Sequence, residues 1–311
     1  MIGGPTASGK SPLALALAEK LQGAVVNADS MQVYAELDVL TARPGADDMA
    51  RAPHYLYGFL PAARRCSVGL WLAEAKRVAV ESLGEGRVPL VVGGTGFYLD
   101  ALTRGLSPIP DIPDEVRAEV ARRTAGLAPD ELHAMAMAAD PAGARRLPAG
   151  DSQRLVRLIE VCEATGEPLS AWQDLPRQDG WTGPVLSLVV EPDRQTLYAA
   201  CDARFDAMMA MGALDEVHAL ADQDLAADLP AMRALGVPHL LAHLRGEKSL
   251  AAAISASKTA TRRYAKRQLT WFRHQAPPGT VRLEACEPAI CLDLAHAHAG
   301  QFLLTGKARK A

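Results

Sequence analysis

The chain has 311 residues, 49% of them hydrophobic and 22% charged, with a formal net charge of −3. This is enough apolar material for a sizeable core plus a second, smaller lobe, and too little net charge to identify a partner, so a nucleic-acid site has to be sought as a local basic stripe. No stretch approaches the roughly 18 consecutive apolar residues of a membrane span and the N-terminus has no secretory pattern, so a cytoplasmic chain without membrane association is expected.

The first motif is residues 4–11, GPTASGKS. It has the spacing G-x-x-x-x-G-K-[ST]: Gly4 and Gly9 let the backbone N–H groups of Pro5–Thr6–Ala7–Ser8 and their neighbours turn toward phosphate oxygens at the positive end of the following helix, except at Pro5, which has none. Lys10 adds a full charge, and the Ser11 hydroxyl has the chemistry to hold a Mg2+ ion bridging two phosphates. The pattern predicts a diphosphate- or triphosphate-bearing substrate. Only three residues precede the motif, so the strand that usually feeds such a loop is nearly absent and a longer N-terminus is expected.

Residues 12–21 have helical apolar spacing, and residues 24–28 form a short valine-rich run ending at Asp29 and Ser30. Buried parallel strands read this way, and their carboxyl ends line ligand sites. Asp29 is therefore a candidate general base toward an attacking amine or hydroxyl, or a ligand of a metal-bound water. A helix is predicted over 67–83, then a second run over 89–92 leading into Gly93-Gly94-Thr95-Gly96. That strand lacks the terminal aspartate with which ATP-hydrolysing enzymes hold Mg2+. Thr95 is a candidate ligand of a leaving diphosphate, or alternatively a helix cap.

From about residue 108 to 175 no strand is legible, while 114–124, 129–138 and 151–165 read as helices bounded by proline or glycine. In the last of these Asp151, Arg154 and Arg157 fall along one side. A third run, 184–190, returns to the α/β pattern, followed by helices over 197–220 and 249–274. Strands alternating with helices at both ends predict an α/β fold, a parallel sheet core interrupted by an all-helical lobe. The domains are expected at 1–109 with 176–275, at 110–175, and as a tail over 276–311.

Between Lys248 and Leu283 there is no Asp or Glu, but there are Lys258, Arg262, Arg263, Lys266, Arg267, Arg273 and Arg282, an electrostatic footprint for a large anion. The interleaved Tyr264, Trp271 and Phe272 are assigned to the core rather than to base stacking. Five scattered cysteines, Cys66, Cys162, Cys201, Cys286 and Cys291, are read as reduced thiols. Cys286, Cys291, His296 and His298 are too cramped at the histidine end for a zinc site and are read as packing or surface residues.

These segments, GPTASGKS at 4–11, DSMQVY at 29–34, TARP at 41–44, GGTGFYL at 93–99, DSQRLVRLIEV at 151–161, RALGV at 233–237 and TRRYAKRQLTWFR at 261–273, together resemble the tRNA dimethylallyltransferase family. They span residues 3–274 in the family's order. Residues 53–58 depart from its pattern, as does Arg263, where glutamine is common. The resemblance implies a P-loop NTPase-like core and transfer of a dimethylallyl group from dimethylallyl diphosphate to N6 of the adenosine 3′-adjacent to the anticodon. It implies Asp29 as base, Thr95 against the diphosphate or the flipped base, Arg204 on the diphosphate, and Mg2+ at Ser11. It further implies tRNA contacts by Asp29, Ser30, Met31, Gln32, Thr95, Arg117, Gln153, Arg154, Leu155, Val156, Arg157, Arg233, Ala234, Leu235, Gly236, Val237 and Pro238, with the helical lobe gripping the anticodon stem-loop of a monomeric enzyme's substrate.

Three alternatives make different demands. A small-molecule P-loop kinase with Asp29 as base needs an acidic Mg2+ ligand and an arginine-bearing lid, and gives the acid-free segment 248–283 no purpose. A binding module without chemistry predicts that Asp29 is dispensable. A prenyltransferase of free adenine nucleotides has no use for the lobe at 110–175.

Overall fold

The structure is a computed structural model, and it describes residues 1–284 and 287–308. Six strands form one sheet: β1 (Ile2–Gly3), β2 (Gly23–Asn27), β3 (His54–Tyr55), β4 (Val88–Gly93), β5 (Leu188–Glu191) and β6 (Val281–Glu284). All pairings are parallel, in the order β3-β2-β4-β1-β5-β6. The two-residue β1 is thus the centre of the sheet, held by β4 on one side and β5 on the other. Its shortness is tolerated because Ile2 is 1% exposed, and the main chain continues the ladder through the Leu188 N–H to the Met1 carbonyl at 2.9 Å.

The helices before the lobe are α1 (Lys10–Leu21), α2 (Ala46–Arg51), α3 (Val68–Gly84) and α4 (Gly96–Arg104). Those of the lobe are α5 (Asp114–Thr124), α6 (Pro129–Ala139), α7 (Pro141–Ala144), α8 (Ser152–Thr165) and α9 (Leu169–Asp174). After it come α10 (Arg194–Ala210), α11 (Ala213–Ala221), α12 (Val237–Leu244), α13 (Leu250–Gln275) and α14 (Pro288–Ala308). Ser67 and Ser249 cap α3 and α13 by accepting the N–H groups of Leu70 and Ala252, the pairing that satisfies orphan donors at a helix start.

The described chain divides into two compact units, Met1–Thr103 with the residues from Thr182 onward, and Arg104–Trp181. In the second, Val120, Leu132, Ala136, Leu155, Leu158, Ile159 and Val161 form a separate core at 0–5% exposure. Its only fully buried acid, Asp140, caps α7 through the Gly143 N–H and accepts the N–H and hydroxyl of Ser170 at 2.8 and 2.7 Å. These bonds hold its carboxyl below the usual range, against the opposing effect of burial.

Three features differ from the sequence expectations. The helix predicted over 197–220 is two helices, α10 and α11, because Gly212 adopts φ 97°, a left-handed conformation that breaks the helix at little steric cost. Residues beyond Ala276 do not trail from the fold: β6 pairs with β5, and Leu283, Cys291 and Ala295 join the main core with α1. Cys291 is disulfide-bonded, so the reading of every cysteine as a reduced thiol fails there, since an odd total excludes complete pairing but not one pair. Cys286 lies outside the described residues. No helix among them is long and apolar enough to cross a membrane.

Strands β2 and β4 approach most closely where they leave the sheet. The Ala28 N–H donates to the Val92 carbonyl at 2.8 Å and the Thr95 N–H to the Ala28 carbonyl at 3.2 Å. A Cβ at Gly93 would collide with the Ala28 carbonyl. Gly93→Ala is expected to destabilise the fold by about 1–3 kcal/mol through overpacking, read as a lowered Tm, and to impair the site that Thr95 serves more than a remote substitution of equal destabilisation.

Candidate active site

The loop at residues 4–11 wraps ahead of α1 with Ala7 at φ 61° and Gly9 at φ 85°. A left-handed alanine is strained, and such strain persists only where the surroundings over-determine it. Several contacts supply that determination. Lys10 is buried, its Nζ donating to the Pro5 carbonyl at 3.1 Å. The Thr6 N–H donates to Gln268 Oε1 at 2.8 Å, and the Arg204 guanidinium hydrogen-bonds the Thr6 hydroxyl. The Ser8 hydroxyl is buried without a partner, a polar atom left over in a cradle.

Across from the loop, Asp29 begins the turn after β2. Asn27, fully buried, shapes this turn: its Oδ1 accepts the Asp29 N–H at 2.8 Å and its amide donates to the Asp29 and Leu56 carbonyls at 3.0 Å. Asp29 Oδ1 accepts the Met31 N–H at 2.9 Å, and the second carboxylate oxygen has no hydrogen-bond partner among the described residues. The Thr95 hydroxyl accepts the Ser30 N–H at 2.9 Å and donates to Ser30 Oγ at 3.3 Å, so Thr95 ties β4 to the Asp29 turn rather than capping α4.

Thr6, Asp29, Met31, Arg204 and Tyr264 line one cleft together with Leu40, Phe205, Met208 and Leu235. The cleft thus combines polar groups suited to an anion and a base with apolar groups suited to a hydrocarbon. Burial lowers the Arg204 pKa, opposed by Cys201 and Asp29, and raises that of Tyr264, with Asp29 adding to the effect. The Lys10 amine is pushed down to about 8 by burial, with Asp29 acting in the opposite direction.

The remaining expected residues divide. Gln32 lies on the Asp29 turn, its amide donating to the Thr41 and Ala42 carbonyls at 2.9 and 3.1 Å. Arg233 to Pro238 run from a short 3-10 turn into α12, with Ala234 and Leu235 at the cleft. In the helical unit Arg117 and Arg157 both approach Glu160, at 3.6 and 3.4 Å, whereas Gln153 and Arg154 are exposed. Of the side chains expected at the RNA, Leu155 and Val237 are 0% exposed and pack in the core, and Ala234, at the cleft, is 2% exposed.

The acid-free segment is less basic than its sequence. Lys258 and Arg262 on α13 pair with Asp206 and Asp202 on α10 at 2.6 and 2.5 Å, and Arg273 and Arg282 with Glu191 on β5 at 3.3 and 2.6 Å. Arg263, Lys266 and Arg267 stay exposed, Arg267 lying 5.5 Å over the Tyr264 ring. Phe272 is buried and Trp271 packs on Gly96, as core aromatics do. Gln268 was missed by the sequence reading; its signal is an amide on the face of α13 that otherwise buries Ala265, Leu269 and Phe272.

No group of three or more His, Cys, Asp or Glu side chains among the described residues could hold a metal. The exposed Ser11 hydroxyl at the start of α1 and the orphaned Ser8 hydroxyl fit a hydrated Mg2+ arriving with a diphosphate better than a resident metal.

Comparison with known proteins adds the family. The model of IPP transferases matches residues 32–275, and that of isopentenyl transferases residues 1–57. A tRNA dimethylallyltransferase of Rhodospirillum centenum is 55% identical over 276 residues, 88% of each chain, and one of Maricaulis maris 48% identical over 298 residues, 93% of this chain and 96% of the other. The crystal structure of full-length tRNA isopentenylpyrophosphate transferase from Bacillus halodurans superposes with a TM-score of 0.71 at 29% identity, covering 99% of this chain and 97% of that one. A eukaryotic dimethylallyltransferase acting on tRNA gives 0.73 at 25% identity, covering 93% and 74%.

The Lys10 titration has a measurable sign. The amine is cationic below about pH 8 and neutral above it, whereas an unfolded lysine titrates at 10.5. Its burial therefore costs stability below pH 8, a cost that fades as pH rises toward 10.5. Anion binding favours the cation, so affinity for inorganic diphosphate should fall roughly tenfold between pH 7 and 9 relative to Lys10→Met, a comparison that cancels the ligand's own titration. Calorimetry at the two pH values checks this; equal pH trends in both proteins would remove Lys10 from the binding charge.

Proposed function

Because the chain belongs to the tRNA dimethylallyltransferase family, we propose the following reading of its site. The protein is a prenyltransferase that transfers a dimethylallyl group to tRNA. Its fold is the P-loop NTPase-like α/β fold of its structural neighbours. The loop at residues 4–11 grips the diphosphate of dimethylallyl diphosphate as a leaving group, and no nucleoside triphosphate is consumed. The observation that carries this is the cleft itself, where the loop's Thr6 and Arg204 stand on the same pocket as Asp29.

The acceptor is N6 of the adenosine 3′-adjacent to the anticodon. The amine attacks the allylic carbon, the carbon–oxygen bond breaks, and its electron pair leaves with the diphosphate. The N6 proton passes to the unpartnered oxygen of Asp29, whose other oxygen is held by the Met31 N–H. Thr95 orients this turn through Ser30. Lys10 and Arg204 stabilise the charge developing on the leaving group from within a partly buried site, where such interactions are stronger than in water. Ser11 would hold a Mg2+ ion arriving with the diphosphate, which would further neutralise that charge.

Leu40, Phe205, Met208 and Leu235 shield the allylic cation-like centre from water, which limits hydrolysis of the donor. The target base has to leave its stack to reach this depth. The exposed Arg263, Lys266 and Arg267 of α13 offer cationic groups to an RNA backbone. In the helical unit by itself, Gln153 and Arg154 are the exposed polar and cationic residues of the expected RNA contacts on α8.

Incubation with Mg2+, radiolabelled dimethylallyl diphosphate and unmodified tRNA bearing adenosine next to the anticodon should yield labelled N6-dimethylallyladenosine on nucleoside analysis. Asp29→Ala should abolish transfer while leaving tRNA and diphosphate affinities within about tenfold, since a base acts mainly in the transition state. Collapse of tRNA binding would make Asp29 an RNA-positioning residue, and ATP-dependent phosphorylation of a metabolite without label in RNA would replace the reading by a kinase.

A further inference from the structure

Gln268 is 5% exposed in the middle of α13, on the face that buries Ala265, Leu269 and Phe272. A leucine would fill such a position without desolvating an amide, so a buried glutamine there needs a polar reason. Its two hydrogen bonds supply one. Oε1 accepts the N–H of Thr6 in the phosphate loop at 2.8 Å, and Nε2 donates to the carbonyl of Gly94, next to Thr95, also at 2.8 Å. Thr6 offers only a donor and Gly94 only an acceptor at these points, so the orientation of the amide is fixed by its partners.

Both partners are main-chain groups outside regular strand and helix, and both residues are buried away from water. The approach is tight as well: a Cβ at Gly94 would collide with Gln268 Nε2 and lie 3.1 Å from the Gly4 carbonyl. One planar amide therefore spans the gap between the loop that cradles the phosphate and the turn that carries Thr95. Thr95 in turn holds Ser30 and the Asp29 turn.

We propose that Gln268 is a positioning residue that sets the register between the phosphate loop and the 93–96 turn, and with it the distance between the allylic carbon and the attacking amine. This rests on the reading of the site as a prenyl-transfer centre. It assigns Gln268 no contact with either substrate. Its effect falls on the alignment of the two halves, where a misplacement of about 1 Å can cost on the order of 100-fold in rate.

Two variants test it, Gln268→Glu and Gln268→Met. Glutamate accepts the Thr6 N–H in either protonation state but donates to the Gly94 carbonyl only when protonated, and burial raises a carboxyl pKa. The ratio of variant to wild-type kcat should be about 100-fold down at pH 8 and should recover at least tenfold by pH 6. KM for tRNA and the affinity for inorganic diphosphate should stay within about threefold. Gln268→Met should lose kcat at every pH without recovery, and hydrogen exchange at the Thr6 amide should accelerate more than about tenfold.

A pH-independent ratio for Gln268→Glu, a Gln268→Met kcat per folded molecule within about threefold of wild type, or unchanged Thr6 exchange would each overturn the inference. If Gln268→Glu does not fold, Gln268→Met decides alone. Failure of the wild type to prenylate tRNA would instead overturn the reading of the site, and Thr6 exchange would still test the amide bridge.

Discussion

A phosphate loop is a set of inward-facing N–H groups and a lysine that together repel one another until an anion arrives, so the fold has to hold it open. Here three contacts do this, one within the loop and two from other helices. Lys10 donates to the Pro5 carbonyl within the loop, Arg204 reaches the Thr6 hydroxyl from α10, and Gln268 takes the Thr6 N–H from α13. Within this frame the loop keeps a strained Ala7 and a buried Ser8 hydroxyl without a partner. The depressed Lys10 pKa expresses the same tension in protonation, with burial opposing the charge and Asp29 favouring it.

The sheet places the other half of the site. Because β2 and β4 are adjacent and parallel, their carboxyl ends deliver Asp29 and Thr95 to one place although 66 positions separate them in sequence order from 29 to 95. The Ser30 N–H to Thr95 bond closes that junction. The ladder tolerates it only because Gly93 leaves room for the Ala28 carbonyl. In the proposed reading the paired strand ends carry the base and the held loop carries the leaving group, the division of labour that substitution at carbon requires.

Charge on α13 follows a similar economy. The segment 248–283 reads as one basic stripe, yet acids on α10 and β5 pair with Lys258, Arg262 and Arg273 of α13 and Arg282 of β6 through Asp206, Asp202 and Glu191. These pairs are partly exposed and contribute little stability individually. Their consequence is directional: they leave Arg263, Lys266 and Arg267 as the exposed cations of the helix without an acidic partner among the described residues, so the unpaired charge offered to an anion sits on one part of its length.

The sequence alone determined whatever is encoded within a few neighbouring residues. The spacing of 4–11 specifies a phosphate loop because it depends on local backbone freedom and one lysine, and helices are legible because periodicity and caps are local: Asp114–Thr124 of the lobe has the predicted bounds, and Ser249 is the cap of α13. The ordered set of motifs specified the family. Tertiary structure decided what depends on distant partners. A two-residue β1 can centre a sheet only because β4 and β5 flank it, and the segment after Ala276 becomes a strand only because β5 offers an edge. Four cations of the basic stripe pair with three acids about 50 to 90 positions away in sequence. Gln268 looks like one polar residue in a helix until the fold brings Thr6 and Gly94 to its two ends, since a hydrogen bond across 174 or 262 positions leaves no trace in local pattern.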